Sequence, residues 1–350
     1  MIMTVQALLT YAIVLSLLTL SVMQPAVAET LTAAQAYEKG KVLHFQDKFE
    51  EAEPYLLQAG QGGYAAAYYL IAGAEPINRF MMSEREYKYL TLAAKEGHLL
   101  AMLVLTRDRS LAPSSEKSSW RQSLKQILAT HVEKKKPFAM ALKARMHSND
   151  QDTYDAYTTK AAEAGYPTSQ YYLATKYRNG RGWFFLPGSR EKEVAKLFEA
   201  AARGGYHEAL IHQAYELITS GNKVEEGLGV LDMLVQKGDA QALSFFGSLF
   251  SHTFFNHPNE WTLKDKVKGG LYLSALAKSM SPSSGNGVYK DKYERLLKVL
   301  TDEEKAQVDK LTEEYLSNHT VYEQDGLDEY EYTVDNLHTA LERWGSNANE

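Results

Sequence analysis

The 350-residue chain is 45% hydrophobic and 23% charged, the balance of an ordinary folded protein, with a formal charge of −6 and no cysteine. Lack of cysteine excludes disulfides, thiolate nucleophiles, Cys-ligated zinc and an acylated lipoprotein cysteine. The negative charge argues against general nucleic-acid binding, which needs a basic face to replace counterions. That charge is unevenly spread, because residues 301–350 carry 14 Asp or Glu against three Lys or Arg. The body is mildly basic and the end strongly acidic.

Residues 1–28 contain no charged side chain and run apolar from Val5 to Met23, closing on Pro25-Ala26-Val27-Ala28. Small residues at Ala26 and Ala28 fit an A-x-A cleavage site, so residues 1–28 read as a secretory signal peptide and Glu29 as the mature start. An uncleaved anchor is the alternative, since the largely apolar stretch from Val5 to Met23 is 19 residues long and could just span a bilayer. No second run of that length follows, so no stable membrane insertion is expected after cleavage. With no cysteine framework, a bacterial periplasm fits better than an animal extracellular space.

From residue 31 a pattern repeats. Five near-identical corners occur: Gly63-Tyr64-Ala65, Gly97-His98-Leu99, Gly165-Tyr166-Pro167, Gly205-Tyr206-His207 and Gly238-Asp239-Ala240. Their intervals are 34, 68, 40 and 33 residues, the mark of stacked helical repeats. Before Gly205 stand Ala195, Phe198, Ala201 and Ala202; before Gly97, Tyr87, Leu90, Ala93 and Ala94; before Gly238, Leu228, Leu231, Leu234 and Val235. Spacing of three and four puts each set on one helical face. Paired alanines admit a close neighbour, and the glycine supplies the left-handed residue that ends the helix. One unit lacks its glycine, with Lys135-Lys136-Pro137-Phe138-Ala139 in the expected place.

These residues, with Ala34-x-x-Tyr37-x-x-Gly40 and the fullest unit, Ser169 to Gly205 (Leu173, Ala174, Tyr177, Gly180 and Gly182 among its marks), resemble the Sel-one-like repeat (SLR) family, a relative of the tetratricopeptide repeat. The resemblance covers about residues 31–280. It implies an all-α fold: a right-handed α-solenoid of about six helix pairs over 29–280, with a linker and C-terminal capping helices over 281–320 and an acidic segment over 321–350. The sequence departs from the family's pattern after the G-x-G turn, where Arg190-Glu191 replaces the usual Asp.

Three stretches break the period. Arg107 to Ser119, with Pro113 and five serines, reads as a surface loop. Arg181 to Ser189 carries Trp183-Phe184-Phe185-Leu186 in a turn, and Phe254 to Trp261 is a second aromatic loop. Ser281 to Gly287 reads as a linker, followed by helices over about 288–300 and 301–316. Thr301-Asp302-Glu303-Glu304 is a helix start, with Thr as cap and carboxylates on the positive dipole end. A last helix is expected near Val334 to Trp344.

Chemistry is sparse. The ten histidines form no His-Glu-x-x-His pattern, no G-x-S-x-G elbow exists, and Gly247-Ser248 sits in an apolar helix as packing. No G-x-G-x-x-G follows a strand, so no metal, cofactor or catalytic residue is expected. What remains is surface. Tyrosine recurs near the corners (Tyr64, Tyr68, Tyr69, Tyr166, Tyr171, Tyr172, Tyr206), either as an aromatic groove or as repeat packing. The candidate partner-binding residues are Trp183, Phe184 and Phe185 in the turn, Tyr171 and Tyr206 by the corners, and Asp328, Glu329, Tyr330 and Glu331 in the acidic end, which could cover a basic site or fold back on the basic body. The expected partner is another protein. Secreted relatives of this type include immunity proteins that neutralise lipase-type toxins of type VI secretion, and scaffolds for polysaccharide export; the resemblance implies either role.

Overall fold

The computed structural model describes residues 31–73, 81–220, 223–251, 265–324 and 332–334. The segment expected to be a signal peptide, the 254–261 loop, the helix expected near 334–344 and residues 325–331 lie outside these. Among the described residues there are sixteen α-helices, one short 3-10 turn and two isolated β-bridges. The helices pack as consecutive antiparallel pairs: α1 (Ala33–His44) with α2 (Phe49–Gln61), α3 (Ala65–Gly73) with α4 (Glu84–Lys95), and α5 (Leu99–Leu105) with α6 (Ser114–Glu133). Then come α7 (Pro137–Met146) with α8 (Gln151–Glu163), α9 (Pro167–Arg178) with α10 (Ser189–Arg203), α11 (His207–Thr219) with α12 (Val224–Gln236), and α13 (Ala240–Ser251) with α14 (Lys266–Ser279). Each pair leans on the next, and α15 (Val288–Leu297) and α16 (Asp302–Asn318) close the stack against α14. The chain is an α-solenoid.

Seven pairs stand where the sequence suggested about six, the unit without a glycine among them. The stretch expected to be a loop to Ser119 turns helical at Ser114, directly behind Pro113. Serines mask that helix, but Trp120, Leu124, Ile127 and Leu128 recur at three- and four-residue steps and anchor it, with Leu124 and Leu128 buried.

The corners share one backbone design. At Gly97 the amide donates to the Ala94 carbonyl at 3.0 Å, and the His98 amide reaches back to Ala93 at 2.9 Å. The same two bonds recur at Gly63, Gly165, Gly205 and Gly238, all with φ between +75° and +94°. This is the Schellman closure, which satisfies the last carbonyls of a helix and needs a left-handed residue. Lys135 takes the missing glycine's place with φ +53°, and its amide and that of Lys136 make the equivalent bonds to Val132 and His131, each 3.0 Å. The backbone corner thus survives the loss of its glycine, and this is why the repeat continues through the gap. The residue after the corner opens the next helix. His98 Nδ1 accepts from the Ala101 amide at 3.2 Å, and Asp239 Oδ1 from the Ala242 amide at 2.7 Å. At the other end of the chain, Thr301 and Glu304 form the reciprocal capping box their spacing suggested.

The two ends of the solenoid meet. The α1–α2 turn touches residues near the C-terminus: the Ser281 amide donates to the Gln46 carbonyl at 2.8 Å, Gln46 Nε2 donates to the Val321 carbonyl at 2.8 Å, and the Glu323 amide donates to the Phe45 carbonyl at 3.0 Å. After α16 the chain runs back over the corners. The Tyr322 amide donates to the Gly238 carbonyl and the Ala240 amide donates to the Tyr322 carbonyl, both 3.2 Å. Farther on, the Val334 amide donates to the Gly97 carbonyl at 2.9 Å and the Leu99 amide donates to the Tyr332 carbonyl at 3.2 Å. Two corners therefore hold the C-terminal stretch with the same pair of groups, the glycine carbonyl and the amide two residues on.

Apolar contacts reinforce this seam. Val321, 1% exposed, belongs to the apolar cluster of α11 to α14, while Tyr332 belongs to that of α1 to α8, its ring 4.9 Å from Phe138. Burying the Val321 side chain alone contributes about 1.5–3 kcal/mol. One strained spot accompanies it. Glu323 is partly buried beside Tyr289, whose hydroxyl donates to Oε1 at 2.7 Å, and burial followed by the nearby Asp239 and Asp47 charges pushes its carboxyl above the usual range.

Three outcomes follow from the corners and the seam. Lys135→Gly relieves a left-handed strain of about 1–2 kcal/mol and is expected to raise the urea midpoint, with the helical content unchanged. Gly63→Ala and Gly238→Ala both introduce that strain, but a Cβ at Gly238 overlaps the Thr320 carbonyl whereas nothing lies near one at Gly63. Amide hydrogen exchange is therefore expected to lose protection over residues 319–324 in Gly238→Ala and to keep it in Gly63→Ala. Glu323 has a folded pKa above its unfolded one, so its contribution is complete below about pH 4.3 and is lost as pH rises through the folded value. Protection of residues 319–324 should be lower at pH 7 than at pH 4, and Glu323→Gln should remove the difference.

Candidate functional site

The α9–α10 connection is the most exposed apolar feature among the described residues. Trp183 is 90% exposed, Phe185 89% and Leu186 73%. Their display is enforced from below. The Arg190 guanidinium lies 4.7 Å over the Phe184 ring and donates to the carbonyls of Tyr177 at 2.9 Å, Arg181 at 2.6 Å and Gly182 at 3.2 Å. Phe184 turns inward, edge-on to Tyr177 at 5.0 Å, and Ser189 Oγ donates to the Leu186 carbonyl at 2.6 Å. So the arginine that departs from the family's usual Asp fastens the turn. With Phe184 and Arg190 as its floor, the loop holds Trp183 and Phe185 outward at little further entropy cost to a binding partner.

Tyr171 and Tyr206 are brought together, 5.2 Å between rings, at the opposite end of α9 from that loop. Both are half-buried. Tyr171 packs edge-on to Phe198 at 5.3 Å, and Phe198 in turn stacks on His212 at 4.0 Å. His212 lies 2.7 Å from Arg178, and burial with that neighbouring charge lowers its pKa. The structure thus separates the candidate residues into two places, Trp183 with Phe185 on one and Tyr171 with Tyr206 on the other. Asp328, Glu329, Tyr330 and Glu331 lie outside the described residues.

The corner tyrosines serve both of the roles open to them. Tyr166 is buried against Phe138, Tyr64 stacks on Tyr37 at 5.3 Å and Tyr68 on Tyr89 at 6.2 Å, all as repeat packing. Tyr69, Tyr172 and Tyr206 instead line an open groove of about 680 Å³. Arg107, Arg109 and Arg145 share its lining, and no Asp or Glu does. Arg109 meets Glu86 at 3.4 Å from the side. Arg107 is partly buried and its guanidinium makes no ion pair or hydrogen bond among the described residues; burial first, then the charges of Arg109 and Arg145, lowers its pKa. Sequence reading missed these arginines, because 107–109 stands in a stretch read as a plain polar loop and Arg145 in the unit whose glycine is absent. The net positive body charge was the available signal.

Among the described residues no group of three His, Asp or Glu is arranged to hold a metal ion, and no helix is long and apolar enough to cross a membrane. His207 Nδ1 pairs with buried Asp239 at 3.0 Å, and Ser248 Oγ donates to the Ser244 carbonyl at 2.8 Å. Both side chains are committed to packing and capping.

No family model and no curated protein matches the chain. Among solved structures it is similar to a protective antigen present in uropathogenic Escherichia coli strains that displays an SLR fold, at 13% identity and a TM-score of 0.45. That alignment covers 87% of this chain but 63% of the antigen, so the chain spans less than two thirds of the antigen's length. It is also similar to a Sel1 repeat protein from Oxalobacter formigenes, at 17% identity and a TM-score of 0.33 over 80% of this chain and 86% of the other. The all-α solenoid of helix pairs stands on the chain's own six corners, each closed by the same two backbone hydrogen bonds.

Proposed function

We propose that this chain is a non-catalytic, protein-binding scaffold of the bacterial envelope that neutralises one secreted partner protein, a lipase-like toxin being the best fit. The observation that carries the binding role is the turn at 183–186, where Trp183, Phe185 and Leu186 stand in solvent on a floor of arginine hydrogen bonds. Large aromatic side chains exposed together on an ordered turn mark a contact site, since tryptophan gives much apolar area for little lost freedom. Support for the envelope comes from the apolar, charge-free first 28 residues and their Ala26 and Ala28. The neutralising role draws on the resemblance to secreted repeat proteins of that kind and on a surface with binding features but no nucleophile–base pair read in the sequence.

The test uses residues 29–350 as bait in an envelope extract, with the captured protein identified, purified and titrated against the bait. Trp183→Ala with Phe185→Ala is expected to weaken the complex by about tenfold or more, the loss typical of aromatic hot spots, while helicity and melting stay as they were. Affinity equal to the unaltered chain would remove the loop from the site. A captured hydrolase whose activity falls on binding supports neutralisation; a component of envelope assembly overturns it.

A further inference from the structure

The arginine groove and the seam point to a second binding surface, separate from the aromatic turn. Three guanidinium groups, Arg107, Arg109 and Arg145, line an open groove that contains no carboxylate, between Tyr69, Tyr172 and Tyr206. Arg107 carries its charge partly desolvated beside two like charges, an arrangement that costs free energy until an anion enters. Close by, Leu99 at the mouth of α5 offers its amide, and Gly97 its carbonyl, to an extended backbone; residues 332–334 of the chain itself take both. Leu100 and Leu103 of the same short helix line the groove. The groove that gathers the three arginines and the corner that already binds an extended segment are therefore joined through one short helix.

We propose that this groove docks an extended, carboxylate-rich segment of a partner protein, with tyrosine or another aromatic among its acidic residues. Each part of that chemistry has its counterpart. Arginine forks match carboxylates in pairs, and the tyrosine rings of the groove offer faces and edges to an aromatic side chain. The corner carbonyl and amide hold a backbone in register, as they hold the Thr333 segment with an antiparallel bridge. Residues 332–334 are a resident competitor at the Gly97 corner, so an incoming segment gains that corner only when they leave it. This inference rests on the reading of the chain as a protein-binding scaffold, yet it concerns a different surface and a different probe from the aromatic turn.

The experiment titrates a fluorescein-labelled peptide with the sequence of residues 319–334 into the full chain and follows its anisotropy. Its twin, with every Asp and Glu changed to Asn and Gln, is the control. Val334→Pro deletes the amide that bonds Gly97 and loosens the resident segment, so that chain is expected to bind the acidic peptide about tenfold tighter than the unaltered one. Arg107→Gln in the same background is expected to reduce that binding by about tenfold, while Arg107→Lys keeps most of it, and added salt to 0.5 M weakens it. The neutral twin binding equally well, or Arg107→Gln leaving affinity unchanged, would overturn the proposal. So would absence of binding to both chains, equal affinity for both, or displacement of the peptide by equimolar inorganic phosphate, which would mark a general anion site. Failure here with a working aromatic turn leaves the scaffold reading standing, whereas failure at the turn leaves these titrations untouched.

Discussion

The left-handed corner is the constraint on which this molecule depends. Each helix pair must end one helix, turn, and start the next within three residues, and the Schellman closure does so while satisfying two carbonyls that would otherwise be orphaned. Glycine meets that demand at five corners and Lys135 at a sixth. Because the turn is fixed by backbone geometry, side chains at the neighbouring positions are released for other uses: His98 and Asp239 cap the following helices, and Tyr166 fills the core. The same geometry also leaves the corner carbonyl and the amide two residues later facing outward. At Gly97 and Gly238 those groups are taken by the C-terminal stretch. Proline at 137 and 167 deletes that amide at two other corners, so the ability to hold a backbone is not uniform along the stack.

Closure changes how the solenoid is expected to hold together. An open stack of repeats has only neighbour-to-neighbour contacts, and its ends fray independently. Here Gln46, in the first turn, bonds Ser281 and Val321, and Val321 and Tyr332 seat in two different apolar clusters. Opening the seam exposes both clusters at once and couples repeats far apart in sequence. The partly buried Glu323 works against that coupling at neutral pH, so the seam is held by apolar burial and backbone bonds with one unfavourable charge beside it.

Sequence reading reached the architecture because the corner is a local device with a local signature. Glycine after paired small residues is written in the chain wherever the backbone turns left-handed. Where the device persists without its signature, only the period marks it: Lys135 gives the φ of a glycine and none of its pattern, and the serines before Trp120 hide the start of a helix anchored by buried Leu124 and Leu128. For the site, exposure at Trp183 and Phe185 could be argued from too many aromatics in one turn. The role of Arg190 could not, since its hydrogen bonds close through carbonyls fixed by the fold. Arg107, Arg109 and Arg145 meet only across the stack, and no spacing in the sequence joins positions 107 and 145.

Two surfaces of opposite chemistry on one scaffold fit a partner that must be held specifically. The aromatic turn presents mainly apolar area, so contacts there add residence time and depend less on salt. The arginine groove presents charge in a partly desolvated wall, which speeds encounter and selects for acidic sequence. Neither alone needs to be strong. If one partner reaches both, the second contact forms within an existing complex, and its effective concentration depends on the rigid separation that the corners set. The stiffness of those corners, more than any single side chain, then decides which partner geometry can be held at both places.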